Sequence, residues 1–318
     1  MAEGSTLDRN LTLEVVRVTE AAAISASAMI GLGDEKKADQ AAVDAMRSAL
    51  NQLNIDGEVV IGEGERDEAP MLFIGEKVGT GTGPKVDIAL DPLEGTTITA
   101  KGAPNSLAVL AVAEGGCLLN APDVYMDKVA VGPEIPEGTV DIDKTADENV
   151  RAVAAALGKN PEDVVVCILD RPRHQDKIAA VRSLGARIRL IGDGDIAGVM
   201  ETAMANSPID LYMGSGGAPE GVLAAAALRC IGGHIQGRLL FRNDDERNRA
   251  YKVGIEDLDR KYSTTEMASG DVIFSATGVT DGWLLNGVKK TGRTIDTESV
   301  VMRSRSGTVR WIKGTKML

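Results

Sequence analysis

Aromatic side chains are scarce: the 318 residues include three Phe, two Trp and four Tyr. Little is available to stack on nucleic-acid bases, so the core must be built from Val, Ile, Leu, Ala and Met. Positive charge is also in deficit, with 35 Lys and Arg against 47 Asp and Glu and a formal charge of −12. That balance argues against a phosphate backbone as partner and leaves acidic side chains for cations or for a solvated surface. Two His are too few for a zinc site of the common kind. Cys117, Cys167 and Cys230 are odd in number, widely separated and lack CxxC spacing, so they read as buried free thiols. No apolar run has the length of a membrane span. The opening residues Met1 to Asn10 are polar without an apolar signal-peptide core, which makes the cytoplasm the expected compartment.

What is present is an alternation of apolar periods. Leu11 to Ile30 reads as a buried helix ending near Gly31 and Gly33, and Asp34 can cap the next helix through Val43, Met46, Leu50 and Leu53. Strands are expected at Glu58–Ile61, Met71–Ile74, Val86–Leu90 and Leu107–Val112, the last paired with Cys117–Leu119. Val78 to Gly83 is glycine-rich but lacks the strand–loop–helix frame of a dinucleotide site, and reads as a flexible turn. Further on, helix 146–157, strand 164–169, helix 175–184, strand 187–191, helix 196–204, strand 209–213 and helix 220–231 alternate. This pattern predicts a partly parallel sheet with helices on both faces and ligand loops beyond the carboxyl ends of its strands.

Several of those ends carry chemistry. Asp91-Pro92-Leu93-Glu94-Gly95-Thr96 follows a strand, and its two carboxylates, the Leu93 carbonyl and the Thr96 hydroxyl form an oxygen set suited to a hard divalent ion. The same residues also suit a capped turn. Asp39, Glu63 and Glu220 are further metal-ligand candidates, although Asp39 and Glu220 also fit the first turn of a helix. Asp67 and Glu68 offer a general base. Two ions about 3.5–4 Å apart would need such a set to clamp a phosphoryl transfer. Arg171-Pro172-Arg173 projects two guanidiniums for phosphate, while the adjacent His174 reads as a hydrogen-bonded loop residue. Gly214 to Gly217 reads either as amides at a helix N-terminus or as close backbone packing. Asp193 and Asp195 suit sugar hydroxyls, and Tyr125 is a ligand donor or a half-buried strand aromatic.

Together the motifs Gly31-Leu32-Gly33-Asp34, Gly62-Glu63-Gly64-Glu65, Asp91 to Thr96, Asn120-Ala121-Pro122-Asp123-Val124-Tyr125, Arg171 to His174, Asp193-Gly194-Asp195 and Gly216 to Gly221 make the chain resemble class II, bacterial-type fructose-1,6-bisphosphatases. The Asp-Pro-x-acid-Gly-Thr element is shared with the wider lithium-sensitive sugar and inositol phosphatases. The resemblance implies an α/β, layered α-β-α-β-α sugar-phosphatase fold of two packed halves. Residues 1–160 would carry most metal ligands and 161–318 the sugar-phosphate loops. It implies a gluconeogenic, cytoplasmic hydrolase, a dimer or tetramer, with manganese or magnesium as cofactor. On matching positions, Asp39 and Glu63 would hold one metal and Asp91, Glu94 and Glu220 the other. Glu94, Gly95, Thr96, Tyr125, Arg171, Pro172, Arg173, Asp193, Gly194, Asp195 and Gly217 would bind substrate. Thr96 would orient the attacking water, with Asp67 or a metal-holding carboxylate such as Glu220 as the other catalytic candidates. One position departs from the pattern: Glu35 follows Asp34 where related sequences carry Lys. A sedoheptulose-1,7-bisphosphatase or dual-specificity enzyme shares nearly all these residues, and a non-catalytic metabolite-binding protein of the same fold is the second alternative.

Overall fold

The computed structural model describes residues 7–64 and 71–318. The chain runs through α1 (Leu11–Ser27), α2 (Glu35–Leu50), β1 (Asp56–Ile61), β2 (Lys77–Val78), β3 (Lys85–Glu94), α3 (Thr96–Lys101) and β4 (Leu107–Glu114). It continues with β5 (Tyr125–Val131), α4 (Ala146–Leu157), β6 (Val165–Leu169), α5 (Gln175–Ser183), β7 (Arg187–Ile191) and α6 (Asp195–Glu201). Next come β8 (Leu211–Gly217), α7 (Ala218–Ile231), β9 (His234–Leu240), α8 (Asp244–Lys252), β10 (Lys261–Ser263) and α9 (Thr264–Met267). The chain closes with β11 (Val272–Gly278), β12 (Lys289–Thr291), β13 (Thr294–Arg303) and β14 (Thr308–Met317). No helix among the described residues is long and apolar enough to cross a membrane.

These elements form two compact units, one from residues 1–119 with 268–318 and the other from 120–267. The boundary expected after residue 160 falls inside the second unit, between α4 and β6. The grouping follows from pairing. β11 returns from far along the sequence to lie antiparallel to β4, Phe274 opposite Ala111, and so joins the last strands to the first.

The sheet of the first unit has the order β12-β13-β11-β4-β3-β1-β2, with β14 on β13. β1 and β3 are parallel, whereas β3 and β4 are antiparallel. Ile88 and Leu90 of β3, Leu110 and Val112 of β4, and Ile273 of β11 pack with Val15, Val18 and Ala22 of α1 in one core. A buried hydroxyl chain crosses it: Thr277 Oγ1 donates to Thr19 Oγ1 at 2.8 Å and meets Ser299 Oγ at 2.7 Å. α2 starts where expected, because the Asp34 side chain accepts from the Lys37 N–H at 3.1 Å. Two expected strands are absent. Leu72 takes a positive φ of 55° and the Glu76 carboxylate accepts its N–H, so 71–74 is a turn. Cys117 also lies in a turn, its N–H held by Asp87 Oδ2 at 2.8 Å, and Leu118 bridges Ala268 rather than β4.

The second unit has the order β10-β9-β5-β8-β6-β7, with β6 parallel to β7 and β8 and the other pairs antiparallel. Side chains alternate across it. Val129, Val131, Val166, Ile168, Leu211 and Met213 face the core shared with α4 and α5. The other face meets α6 and α7: the Met126 sulfur lies against Gly221, and Cys167 Sγ and the Tyr212 ring lie against Gly198. α4 matches its expected span because Thr145 and Glu148 form a capping box and Gly158 closes it in the left-handed region. Helices therefore cover both faces of a partly parallel sheet, as the sequence pattern predicts.

Candidate active site

In the first unit the carboxylate turn is built into the sheet rather than beyond it. β3 runs through Asp91-Pro92-Leu93-Glu94, and its register against β4 shifts between Asp91 and Glu94, a bulge that accommodates proline's missing N–H. Asp91 Oδ1 accepts from the Leu93 N–H at 3.0 Å. Gly95 takes φ 86°, which turns the chain into α3 with Thr96 as its first residue. Ser106 Oγ donates to the buried Glu94 carbonyl at 3.0 Å and meets Thr99 Oγ1 at 2.7 Å, fixing the turn from behind. Gly31 and Gly33 donate to the carbonyls of Thr99 and Ala100, each at 2.9 Å, tying the loop that opens α2 to α3. Asp39 lies on the helix anchored in this way. Burial raises its pKa, and among the described residues no charge or hydrogen bond offsets it.

Glu63 is set by a tight backbone crossing. Its N–H donates to the Leu72 carbonyl at 3.0 Å, and that carbonyl occupies the space a Cβ on Gly62 would need. The glycine thus answers to neighbouring backbone. Asp67 and Glu68 lie outside the described residues. Glu35 is exposed, and Lys37 pairs with Asp34 at 3.0 Å.

In the second unit the ends of β6, β7 and β8 supply the polar residues. Arg173 donates from Nη2 to the Ser215 carbonyl at 2.6 Å and from Nε to Ser215 Oγ at 3.0 Å. Its guanidinium carbon sits 4.9 Å from the centroid of the Tyr125 ring, and that of Arg242 sits 5.0 Å from the same centroid. Arg242 is steadied in turn by Glu246, Nε to Oε1 at 2.6 Å. Arg171 and Asp193 approach at 3.9 Å. His174 is structural, as its sequence context suggests. It is buried, its Nδ1 lies 2.8 Å from the Leu169 carbonyl, and its Nε2 accepts from the Ser215 N–H at 2.9 Å. Burial first, then the nearby Arg173 and Lys177 charges, lowers its pKa against the Leu169 hydrogen bond, which favours the neutral ring.

The glycine run does not form a loop of bare amides. Gly214 to Gly217 ends β8 and pairs with Lys128 to Tyr125 of β5. Its lack of side chains admits two carboxylates, Asp195 against Gly216 and Glu220 against Gly217. Asp195 is bound to Lys128, which is 1% exposed and also donates to the Gly217 carbonyl at 2.9 Å. Glu220 Oε2 is buried without a hydrogen-bond partner. Its pKa is pushed up to about 7 by burial first and the Asp195 charge second, against Lys128. Neither Lys128 nor Arg242 emerges from the sequence. The one signal for Lys128 is a cation on the same strand face as Met126 and Ala130.

Among the described residues no three His, Cys, Asp or Glu side chains stand together as a metal-holding group. The donor chemistry nonetheless fits a hard cation: the candidates are carboxylates, burial raises the pKa of both Asp39 and Glu220, and Glu220 Oε2 is buried without a hydrogen-bond partner.

The chain matches, over residues 9–316, the family described as bacterial fructose-1,6-bisphosphatase, glpX-encoded. It is similar to fructose-1,6-bisphosphatase 1 class 2 of Escherichia coli strain K12, at 49% identity over 325 aligned positions that cover 98% of this chain and 96% of the relative. The class 2 fructose-1,6-bisphosphatases of Escherichia coli O6:H1 and Shigella flexneri match at the same 49% and the same coverage.

Proposed function

The chain belongs to the family of bacterial fructose-1,6-bisphosphatases, and we propose on that footing that it hydrolyses the 1-phosphate of fructose 1,6-bisphosphate to give fructose 6-phosphate and inorganic phosphate. The observation that carries this reading is a family match spanning residues 9–316. On the same footing we assign it to gluconeogenesis in the cytoplasm, as a dimer or tetramer.

Divalent cations, manganese or magnesium, belong to the proposal; when bound, they supply positive charge to the phosphoryl oxygens during transfer. Asp39, Glu63, Asp91 and Glu94 are the carboxylates of the first unit assigned to hold them. In the second unit Glu220 is assigned the same task, supported by its unpartnered, desolvated oxygen. Thr96, presented by the left-handed Gly95, orients the attacking water through its hydroxyl. Asp67 accepts the proton.

For the sugar bisphosphate, Arg173 is pre-organised by Ser215 and by Tyr125, so little side-chain freedom is lost when it takes the retained phosphate. Arg242 adds a second guanidinium at the same ring. Arg171, Pro172, Asp193, Gly194 and Gly217 complete the set at the strand ends. Asp195, committed to Lys128, acts by fixing the start of α6.

The test is phosphate release from fructose 1,6-bisphosphate, sedoheptulose 1,7-bisphosphate and fructose 6-phosphate in the presence of manganese. Turnover of the first with retention of fructose 6-phosphate is expected. Preference for the seven-carbon sugar would reassign the substrate, and binding without turnover would overturn the enzymatic reading.

A further inference from the structure

The last twenty residues, from Ser299 on, contain Arg303, Arg305, Arg310, Lys313 and Lys316 and no acidic residue, in a chain whose net charge is −12. Three of these arginines join Arg9 around one depression of about 690 Å³, between the start of α1 and the β13–β14 turn. Among the described residues no Asp or Glu lines it. Arg303 forms its rigid side: the guanidinium is buried, pairs with Asp271 at 2.6 Å and donates to the Leu7 carbonyl at 3.0 Å. Arg9 and Arg305 are exposed and neither side chain has a hydrogen bond or an ion pair among the described residues, while Arg310 donates to the Thr308 hydroxyl at 2.7 Å. Leu7 and the exposed Leu13 add an apolar wall.

Scattered surface arginines are solvated and need no explanation. Three guanidiniums with no carboxylate partner among the described residues, converging on one concavity of an acidic protein, repel each other unless an anion joins them. Their planar forks match the oxygens of a phosphate group, and the volume suits a small molecule rather than a single ion. We propose that this depression binds a phosphorylated small molecule, its dianion held by Arg9, Arg305 and Arg310 and its uncharged body laid on Leu7 and Leu13. None of the lining residues belongs to the catalytic or substrate-binding set assigned above, so the site stands or falls independently of that set.

The probe is phenylphosphonate, a dianion with an apolar body that the enzyme cannot hydrolyse, titrated calorimetrically into the full-length, magnesium-saturated protein. Methylphosphonate, which keeps the charge and lacks the body, should bind more weakly. The double variant R305Q/R310Q, both positions exposed, should weaken phenylphosphonate by about tenfold or more, with kcat and KM for fructose 1,6-bisphosphate at parent values. Unchanged binding in the double variant would overturn the proposal, and so would a parallel rise in KM, which would place the probe on the substrate site. Capture of phosphatidylglycerol vesicles without binding of phenylphosphonate would overturn it too, by marking a membrane-facing field instead of a pocket.

Discussion

Replacing Glu220 by Gln removes a charge from a place where the fold solvates it poorly. Its carboxyl is enclosed at the start of α7, and its pKa stands at about 7 against an ordinary 4.5. An acid with a raised native pKa keeps its proton when folded at pH values where the unfolded chain has released it. Stability therefore falls as pH rises from about 4.5 to about 7, and levels off above that range. The full effect of that shift is about 3 kcal/mol. Glutamine keeps the shape and cannot ionise. In metal-depleted protein, Glu220→Gln should thus raise stability by up to about 3 kcal/mol at about pH 8 and change it little at about pH 4. Urea unfolding followed by circular dichroism, with chelator present, measures both. Manganese should narrow the gap, because a cation gives the parent carboxylate the partner it lacks. A variant less stable than the parent at the higher pH, or a difference that ignores pH, would refute the reasoning.

Three other outcomes are expected. Exhaustive chelation should abolish phosphate release and manganese should restore it; full activity after chelation would remove the metal from the reaction. Thr96→Ala should lower kcat by about a hundredfold or more with circular dichroism unchanged, whereas Thr96→Ser should retain much more, since only the hydroxyl orients water. Arg173→Ala and Arg242→Ala should each raise KM for the bisphosphate more than they lower kcat, with Lys restoring only part of the loss. Equal losses on a monophosphate substrate would shift Arg173 to the scissile group.

The parts of the fold that were legible in the sequence are those specified locally. α4 carries its capping box and terminal glycine within one stretch, β7 carries its alternation, and both appear at their expected limits. Elements defined by distant partners were not legible. β11 is fixed by pairing with β4, and the Met71–Ile74 segment follows the Glu76 carboxylate, itself held by Arg47 at 2.6 Å, instead of its own apolar pattern. The candidate site divides in the same way. Motif residues such as Arg173 and Glu220 stand out by type and spacing. Lys128 and Arg242 act through contacts with Asp195 and Tyr125, which lie 67 and 117 positions away, and nothing near them in the chain announces those meetings.

The union of Cys117 and Leu118 with Ala268 and Ser269 bears on how the protein is made. Leu118 bridges Ala268, and the Ser269 N–H donates to the Cys117 carbonyl at 2.8 Å, so residues 120–267 leave and re-enter the first unit at one doorway. On the ribosome the inserted unit emerges whole while β4 still lacks β11. It can therefore mature first, leaving the apolar edge of β4 open until the final strands are translated. A stall or truncation before Val272 would release a chain with one finished unit and one exposed sheet edge, the form that chaperones and proteases would meet. Conversely, a short linker joining Leu119 to Ala268 would spare the first unit that delay.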